Sequence, residues 1–147
     1  MVGFAERGSP AGSCEPDRPL TPQIEAWCRR DLEAIRHAFV RARSESFTTD
    51  SLPALHLAAH NLYGASFLYG GEALVMLSGT LQLACRSNAV LDRSPELIRL
   101  LIDACRLCTQ TRKEAASELG AIEAVCDLVR GHLGEENSRS APCEDDR

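Results

Sequence analysis

The sequence lacks a long apolar run, an excess of basic residues and the alternation typical of β-strands. No apolar stretch approaches the roughly 20 residues that a bilayer span needs, and the first 20 residues show no basic region followed by an apolar one. We therefore expect no membrane segment, no secretory signal and a cytoplasmic location. The formal net charge is −5 and falls mostly at the two ends, which argues against a surface for nucleic acid.

What the sequence does have is the composition of one globular domain. Its 147 residues are 44% hydrophobic and 25% charged, enough for a single core. Residues 1–20 and the acidic tail 134–147 show no period, so we expect both to be disordered around a helical domain at 21–133. Five of the seven cysteines fall in helical patterns and are expected as small core residues in a reducing compartment: Cys28, Cys85, Cys105, Cys108 and Cys126.

Helical periodicity covers nearly all of the region 21–133. Two helix starts carry a capping residue followed by proline, at Thr21-Pro22 and Ser94-Pro95. We predict helices over 21–44, 51–69, 72–86 and from 94 toward 116, with 87–93 as a connection. The last apolar stripe continues to about 133, with Gly120 as a candidate break. Short connections predict an all-α fold, an up-down antiparallel four-helix bundle with an extended or additional C-terminal helix.

The second predicted helix has a histidine on its outer face. At about 100° per residue, one stripe of this helix faces the core: Leu55, Ala58, Leu62, Ala65 and Tyr69. His60 points away from that stripe, and Gly64 lies one turn further on the same outer side. A glycine within a helix costs about 1 kcal/mol relative to alanine. Either Gly64 clears space beside the imidazole for a partner, or it permits close packing of another helix.

Residues 60–66 read His-Asn-Leu-Tyr-Gly-Ala-Ser, and the helix closes at Gly70. This stretch resembles the histidine-containing phosphotransfer (HPt) domain, whose pattern is H-x-L-K-G-x-[SA] with a glycine ending the helix. The leucine-rich helix that follows and the long final helix fit the same family. Residues 51–133 are most similar to the small single-domain HPt proteins of alphaproteobacteria.

The resemblance implies a phosphocarrier rather than an enzyme, with His60 as the phosphoacceptor. Its partners would be response-regulator receiver domains, with a hybrid histidine kinase as a further candidate. The receiver would supply the aspartyl phosphate and the Mg²⁺ ion, so this chain would bind no metal, cofactor or ATP of its own. Tyr63, Gly64 and His56 would border the site. The docking surface is expected to include three apolar residues of the same helix: Leu57, Phe67 and Leu68.

One position departs from the family pattern. Tyr63 stands where the family usually has a lysine, which helps to hold negative charge near the phosphorylated ring. A tyrosine donates a hydrogen bond but carries no positive charge near neutral pH. The alternative interpretation is therefore a degenerate HPt-like helical protein that binds receivers without accepting phosphate.

Other residues support weaker hypotheses. His56 and His60 are spaced to share a metal ion, but no third ligand lies near them in sequence. Cys105 and Cys108 have CxxC spacing within an apolar helical stripe, which favours a core role over redox or zinc chemistry. The remaining expectations are solvent for His37 and His132, the core or its edge for Trp27, and the exposed face of the first helix for Arg29, Arg30, Arg41 and Arg43.

Overall fold

A computed structural model describes residues 20–69 and 71–140, without the side chains of Lys113 and of 135–140. This part of the chain is helical and contains no strand, which confirms the all-α prediction. None of its helices is long and apolar enough to cross a membrane. The described ranges contain seven helices: α1 Pro22–Ser44, α2 Leu52–Tyr69, α3 Glu72–Cys85, α4 Asn88–Arg93, α5 Pro95–Gln110, α6 Arg112–Ser117 and α7 Leu119–Ser140.

The first three helices begin and end close to where the sequence predicts. Thr21 Oγ1 accepts a hydrogen bond from the Ile24 amide at 3.2 Å, and Pro22 occupies the first turn of α1. The next two helices, α2 and α3, end within one residue of their predicted ends. Between them, Gly71 has a φ of 98°, a left-handed conformation that favours glycine and lets the chain turn from α2 into α3.

Residues 87–93, predicted as a connection, contain the short helix α4. Ser87 Oγ accepts a hydrogen bond from the Val90 amide at 3.2 Å and so caps this helix. Val90 and Leu91 are buried where α4 packs on α3 and α5. A six-residue helix is too short to be stable alone or to show a clear period, so tertiary contacts decide its structure.

The predicted long last helix is interrupted twice, and neither interruption is at Gly120. α5 and α6 are separated at Thr111, and α6 and α7 at Glu118. The Thr111 hydroxyl donates to the Leu107 carbonyl at 2.8 Å and shares that acceptor with its own backbone amide. Such local bonds compete with helix continuation, and the backbone angles of Thr111 are non-helical.

The C-terminal boundary also differs from the prediction. α7 runs to Ser140, six residues beyond the predicted start of the tail at 134. The other residues predicted to be disordered, 1–19 and 141–147, lie outside the described part of the chain.

Four helices form a closed ring of neighbours: α1 packs on α2, α2 on α3, α3 on α5 and α5 on α1. α7 lies outside this ring and packs mainly on α3. The inward sides share one hydrophobic core, whose fully enclosed members include Ile35, Leu55, Leu62, Leu81 and Ile98. Removing such side chains from water is the main source of stability, at about 25 cal/mol per Å² of apolar surface.

The buried side of α2 is slightly rotated from the predicted stripe. Three residues of that stripe are fully buried, namely Leu55, Leu62 and Tyr69. The small residues differ, since Ala59 and Ser66 are buried while Ala58 and Ala65 are only half-buried. Ser66 tolerates complete burial because its hydroxyl donates to the Tyr63 carbonyl at 2.6 Å.

Trp27 is 36% exposed and does not belong to the core cluster, contrary to expectation. The neighbouring Cys28 takes the inward position instead, and successive helical residues point about 100° apart. The side chains expected in solvent are all exposed: His37, His132, Arg29, Arg30, Arg41 and Arg43.

All five cysteines predicted in the core are buried as free thiols. Burial raises the pKa of Cys28 to about 11 and that of Cys85 to about 12. Burial likewise raises the pKa of Cys105 well above its usual value and also raises that of Cys108. The thiols therefore stay protonated at neutral pH, which supports a core role for the CxxC pair over redox or zinc chemistry.

Candidate functional site

The candidate site is centred on His60, whose side chain is exposed on α2. Its Nδ1 lies 3.0 Å from Nε2 of Gln82 on α3. Within the described ranges its other ring nitrogen, Nε2, makes no hydrogen bond. One nitrogen of this exposed imidazole is thus held by the protein, while the other has no hydrogen-bond partner among the described residues.

His56, one turn earlier on α2, has a different environment. It is half-buried, and its Nε2 lies 3.0 Å from the Cys85 carbonyl oxygen at the end of α3. A carbonyl only accepts, so His56 Nε2 carries the hydrogen and donates it. This histidine therefore satisfies one of the free carbonyls at a helix end, a structural role.

A metal site at the two histidines has no support from the arrangement of side chains. The Nε2 atom of His56 is engaged by the Cys85 carbonyl, as above. In the part of the chain that the structure covers, no group of three or more His, Cys, Asp or Glu residues is placed to hold a metal ion. Two helical histidines without a third ligand are weak metal ligands.

The seam between α2 and α3 has a regular register. His56 meets Cys85, His60 meets Gln82, and Tyr63 meets Gly79. Residue numbers rise along α2 as they fall along α3, so the two helices run in opposite directions here. These contacts follow one another along the seam, with the His60–Gln82 pair between the other two.

Gln82 is a site residue that the sequence analysis did not identify. It is half-buried and is the only side chain with an amide or a charge between Ala73 and Cys85. A single amide side chain within an otherwise largely apolar helix is a signal, visible in the sequence, that could have identified Gln82 as a candidate site residue. Its pairing with His60, however, depends on how α2 and α3 are aligned.

Tyr63 lies at the seam, and its ring reaches Gly79 on α3. It is half-buried, and its ring packs edge-on against Phe67 with the centroids 5.6 Å apart. A β-carbon at Gly79 would lie 3.1 Å from Tyr63 Cε1 and 3.1 Å from Nη2 of Arg130 on α7. Gly79 is thus the glycine that permits close approach, and the sequence analysis identified neither it nor Arg130.

Gly64 has the opposite environment. It is exposed, and a β-carbon there would meet no atom within 4 Å. Within the described residues, the close-packing interpretation of this glycine is therefore wrong. Gly64 leaves an open strip of backbone one turn from His60, as the other interpretation expects.

The exposed side of α2 around the histidine is largely apolar and has no charged residue of its own. Leu57, Phe67 and Leu68 are between 47% and 60% exposed. No Asp, Glu, Lys or Arg occurs anywhere in α2. Large apolar side chains exposed together without charge are typical of an interaction surface.

Comparisons with known proteins add no relative: a scan against protein-family models, a search of curated proteins and a search of solved structures find no match to this chain. The HPt resemblance of residues 60–66 therefore stays a prediction. What the site can do is inferred from its own geometry and chemistry.

Proposed function

We propose that this protein is a phosphorelay phosphocarrier, which accepts and donates a phosphoryl group on His60 in two-component signalling. One observation supports this most directly. His60 Nδ1 is held by the Gln82 side chain, while Nε2 of this exposed residue makes no hydrogen bond within the described ranges. A nucleophilic nitrogen needs a free lone pair, a fixed ring orientation and access for the phosphorus atom.

Gln82 suits this chemistry because a carboxamide both donates and accepts. With its oxygen turned toward the ring, it accepts the Nδ1–H and keeps the lone pair on Nε2. That lone pair forms the N–P bond, while the P–O bond of an aspartyl phosphate breaks and the aspartate leaves as a carboxylate. The product carries its proton on Nδ1, where Gln82 still accepts it. In the reverse transfer the same atoms return the phosphoryl group.

In this proposal the partner is the receiver domain of a response regulator or of a hybrid histidine kinase in the cytoplasm. The receiver brings the aspartyl phosphate and the Mg²⁺ ion. This chain contributes His60 and a docking surface made of Leu57, Gly64, Phe67 and Leu68. It binds no nucleotide and catalyses no reaction alone.

The ring of α1, α2, α3 and α5 fits an up-down antiparallel four-helix bundle, with α7 as the additional C-terminal helix. Such a bundle places an outward histidine on a rigid helix surface. Rigidity matters because phosphoryl transfer depends on in-line positioning. In the proposed function the bundle therefore holds His60 in a fixed position for transfer.

The test is transfer from a receiver. The full-length protein is incubated with receiver domains that carry an aspartyl phosphate, and the isolated protein is then assayed for a label that is acid-labile and alkali-stable. Labelling together with loss of phosphate from the receiver supports the proposal. Absence of label from every receiver that binds the protein contradicts it.

A second function, receiver binding without phosphotransfer, is favoured by Tyr63. The ring of this residue occupies the position where the family pattern has a cation. The same experiment separates the two functions. A receiver that binds with micromolar or better affinity but never transfers its phosphate favours the degenerate binding protein.

A further inference from the structure

The last helix brings a positive charge to the seam between α2 and α3. Arg130 of α7 donates from Nε to Thr80 Oγ1 at 3.1 Å. Thr80 is itself buried, and its hydroxyl donates to the Met76 carbonyl at 2.9 Å. The Nε of the guanidinium is thus anchored on α3, and its Nη2 lies near Gly79.

The absence of a side chain at Gly79 makes room for this arrangement. A β-carbon there would be 3.1 Å from both Arg130 Nη2 and Tyr63 Cε1. The guanidinium and the tyrosine ring therefore share the space above one bare α-carbon, at most about 6 Å apart. Gly79 faces Tyr63 in the same register in which Gln82 faces His60, so Arg130 meets α3 about one helical turn from Gln82, the partner of the imidazole.

No other charge in the two helices competes at this point. α2 has no charged side chain, and within α3 only Glu72 is charged, ten positions before Gln82. Two helices without charge near Gln82, joined at their seam by one arginine from a third helix, are suited to a small, compact anion. Arginine is permanently charged and presents several N–H donors in a fork that matches phosphate oxygens.

On the basis of the proposed function, we propose that Arg130 binds the phosphoryl group on His60, in place of the lysine that the family pattern has at position 63. Its Nε remains on Thr80 while its Nη atoms donate to phosphoryl oxygens. This role also accounts for Tyr63. A lysine there would place a second positive charge beside Arg130, whereas a tyrosine adds a hydroxyl without like-charge repulsion.

The test uses phosphoramidate, a small donor that labels without docking. Its P–N bond breaks as the His60 N–P bond forms, and ammonia leaves. Full-length wild type, Arg130→Gln and Arg130→Lys are compared for labelling rate and for the half-life of the phosphohistidine. We expect Arg130→Gln to lower the labelled fraction about tenfold, since a charge-assisted bond is lost, and Arg130→Lys to retain most of it.

Two further variants make the readout specific. Arg86→Gln removes an exposed arginine just beyond α3 and should label like wild type. Tyr63→Lys combined with Arg130→Gln should recover labelling, because the cation then comes from α2. Helicity measured by circular dichroism should be equal in wild type, Arg86→Gln, Arg130→Gln and Arg130→Lys, since Arg130 and Arg86 are both exposed.

The outcomes are distinguishable. A labelled wild type with an equally labelled Arg130→Gln overturns the role of Arg130 and leaves the proposed function standing. Equal losses in Arg86→Gln and Arg130→Gln also overturn it, because the site would then respond to net charge alone. A wild type that takes no label from phosphoramidate or from any receiver contradicts the proposed function and, with it, this inference.

Discussion

Two faces of the molecule differ in the exposed side chains that they present to water. On the face formed by α1 and α5, charged side chains pair in a chain that runs from Arg43 through Glu96, Arg99 and Asp103 to Arg106. The helix α2 itself contains no charged residue, although its Leu57, Phe67 and Leu68 are exposed. The charges of the first face are paired with one another and exposed to water, whereas the second face exposes apolar surface that a partner can cover.

Exposure of leucine alone does not separate the two faces. Leu100 on α5 is 54% exposed and Leu107 is 58% exposed, which is as much as the apolar residues around His60. The difference is the setting: the α5 leucines stand among ion pairs, while those of α2 adjoin a histidine, an open glycine and an aromatic pair. The context of an apolar side chain, more than its exposed area, therefore points to a docking surface.

The strongest contrast is expected at the two histidines of α2. His60→Gln should abolish acid-labile labelling by a phosphorylated receiver, because it removes the nucleophilic nitrogen while leaving an exposed position with little role in packing. His56→Gln is the matched control and should keep the label, since His56 serves the Cys85 carbonyl. Label lost in His56→Gln and kept in His60→Gln would reverse the assignment.

The docking face is tested next, with an equally exposed residue of the other face as control. Phe67→Ala should weaken receiver binding about tenfold or more, because truncating an anchor at the centre of an interface typically costs over 1 kcal/mol. Leu100→Ala on α5 should leave the affinity unchanged. Titration calorimetry with one receiver measures both variants. Equal losses would mean that the α2 face has no special role.

Tyr63→Lys tests whether a positive charge on α2 itself increases the phosphorylation of His60. It should raise the phosphorylated fraction at equilibrium with a receiver by at most about tenfold, through a charge-assisted hydrogen bond at an exposed site. The gain should be smaller with Arg130 present than in the Arg130→Gln background, because the two cations repel. An unchanged fraction and an unchanged receiver affinity would show that residue 63 does not reach the phosphoryl group.

The two glycines beside Tyr63 allow a further comparison, since Gly64 is exposed and Gly79 lies at the seam between α2 and α3. Gly64→Gln should weaken receiver binding about fivefold by filling open surface, while increasing the free energy of unfolding by up to about 1 kcal/mol through helix propensity. Gly79→Ala should gain less stability, because its β-carbon meets Tyr63 and Arg130. Urea denaturation measures both. A Gly64→Gln protein less stable than wild type would show that this glycine serves the fold.

The smallest effect is expected on the ion-paired face. The hydrogen bond from Arg99, reinforced by that from Arg43, lowers the pKa of Glu96. A carboxylate with a lowered folded-state pKa stabilises the protein at pH values above the ordinary glutamate pKa. This stabilisation is lost as the pH falls through the lowered, folded-state pKa. Glu96→Gln should therefore reduce the urea midpoint slightly at neutral pH and low salt, and not at all in acid. A pH-independent difference would place the effect in packing and not in charge.

Much of the fold could be predicted because its signals are local. Thr21-Pro22 and Ser94-Pro95 mark helix starts, and periodicity identifies the buried sides of the long helices. The helix α4 and the interruption at Thr111 were not predicted. A six-residue helix is too short to show a hydrophobic period, and a single hydrogen bond from a side chain to a carbonyl does not change that period. The rotation of α2 depended on how wide a face its two neighbours cover, which is a tertiary property.

The candidate site also has residues that could be predicted from local sequence and residues that could not. His60, Gly64 and the exposed apolar residues share one helix, so a helical wheel places them together. Gln82 and Arg130 come from α3 and α7, and only the packing of three helices brings them to His60 and Tyr63. Sequence spacing within one element carries no information about that register.

The position of α7 outside the ring has a consequence for how the site responds to heat. Each helix of the ring packs on at least two others of the ring, whereas α7 relies mainly on α3. Segments with fewer neighbours open at lower free energy, and their amides exchange hydrogen sooner. Arg130 would leave with α7, while the His60–Gln82 pair stays on the ring. Phosphohistidine should therefore become short-lived on warming at temperatures where the helices of the ring are still folded, and amides of α7 that exchange as slowly as those of α3 would contradict this.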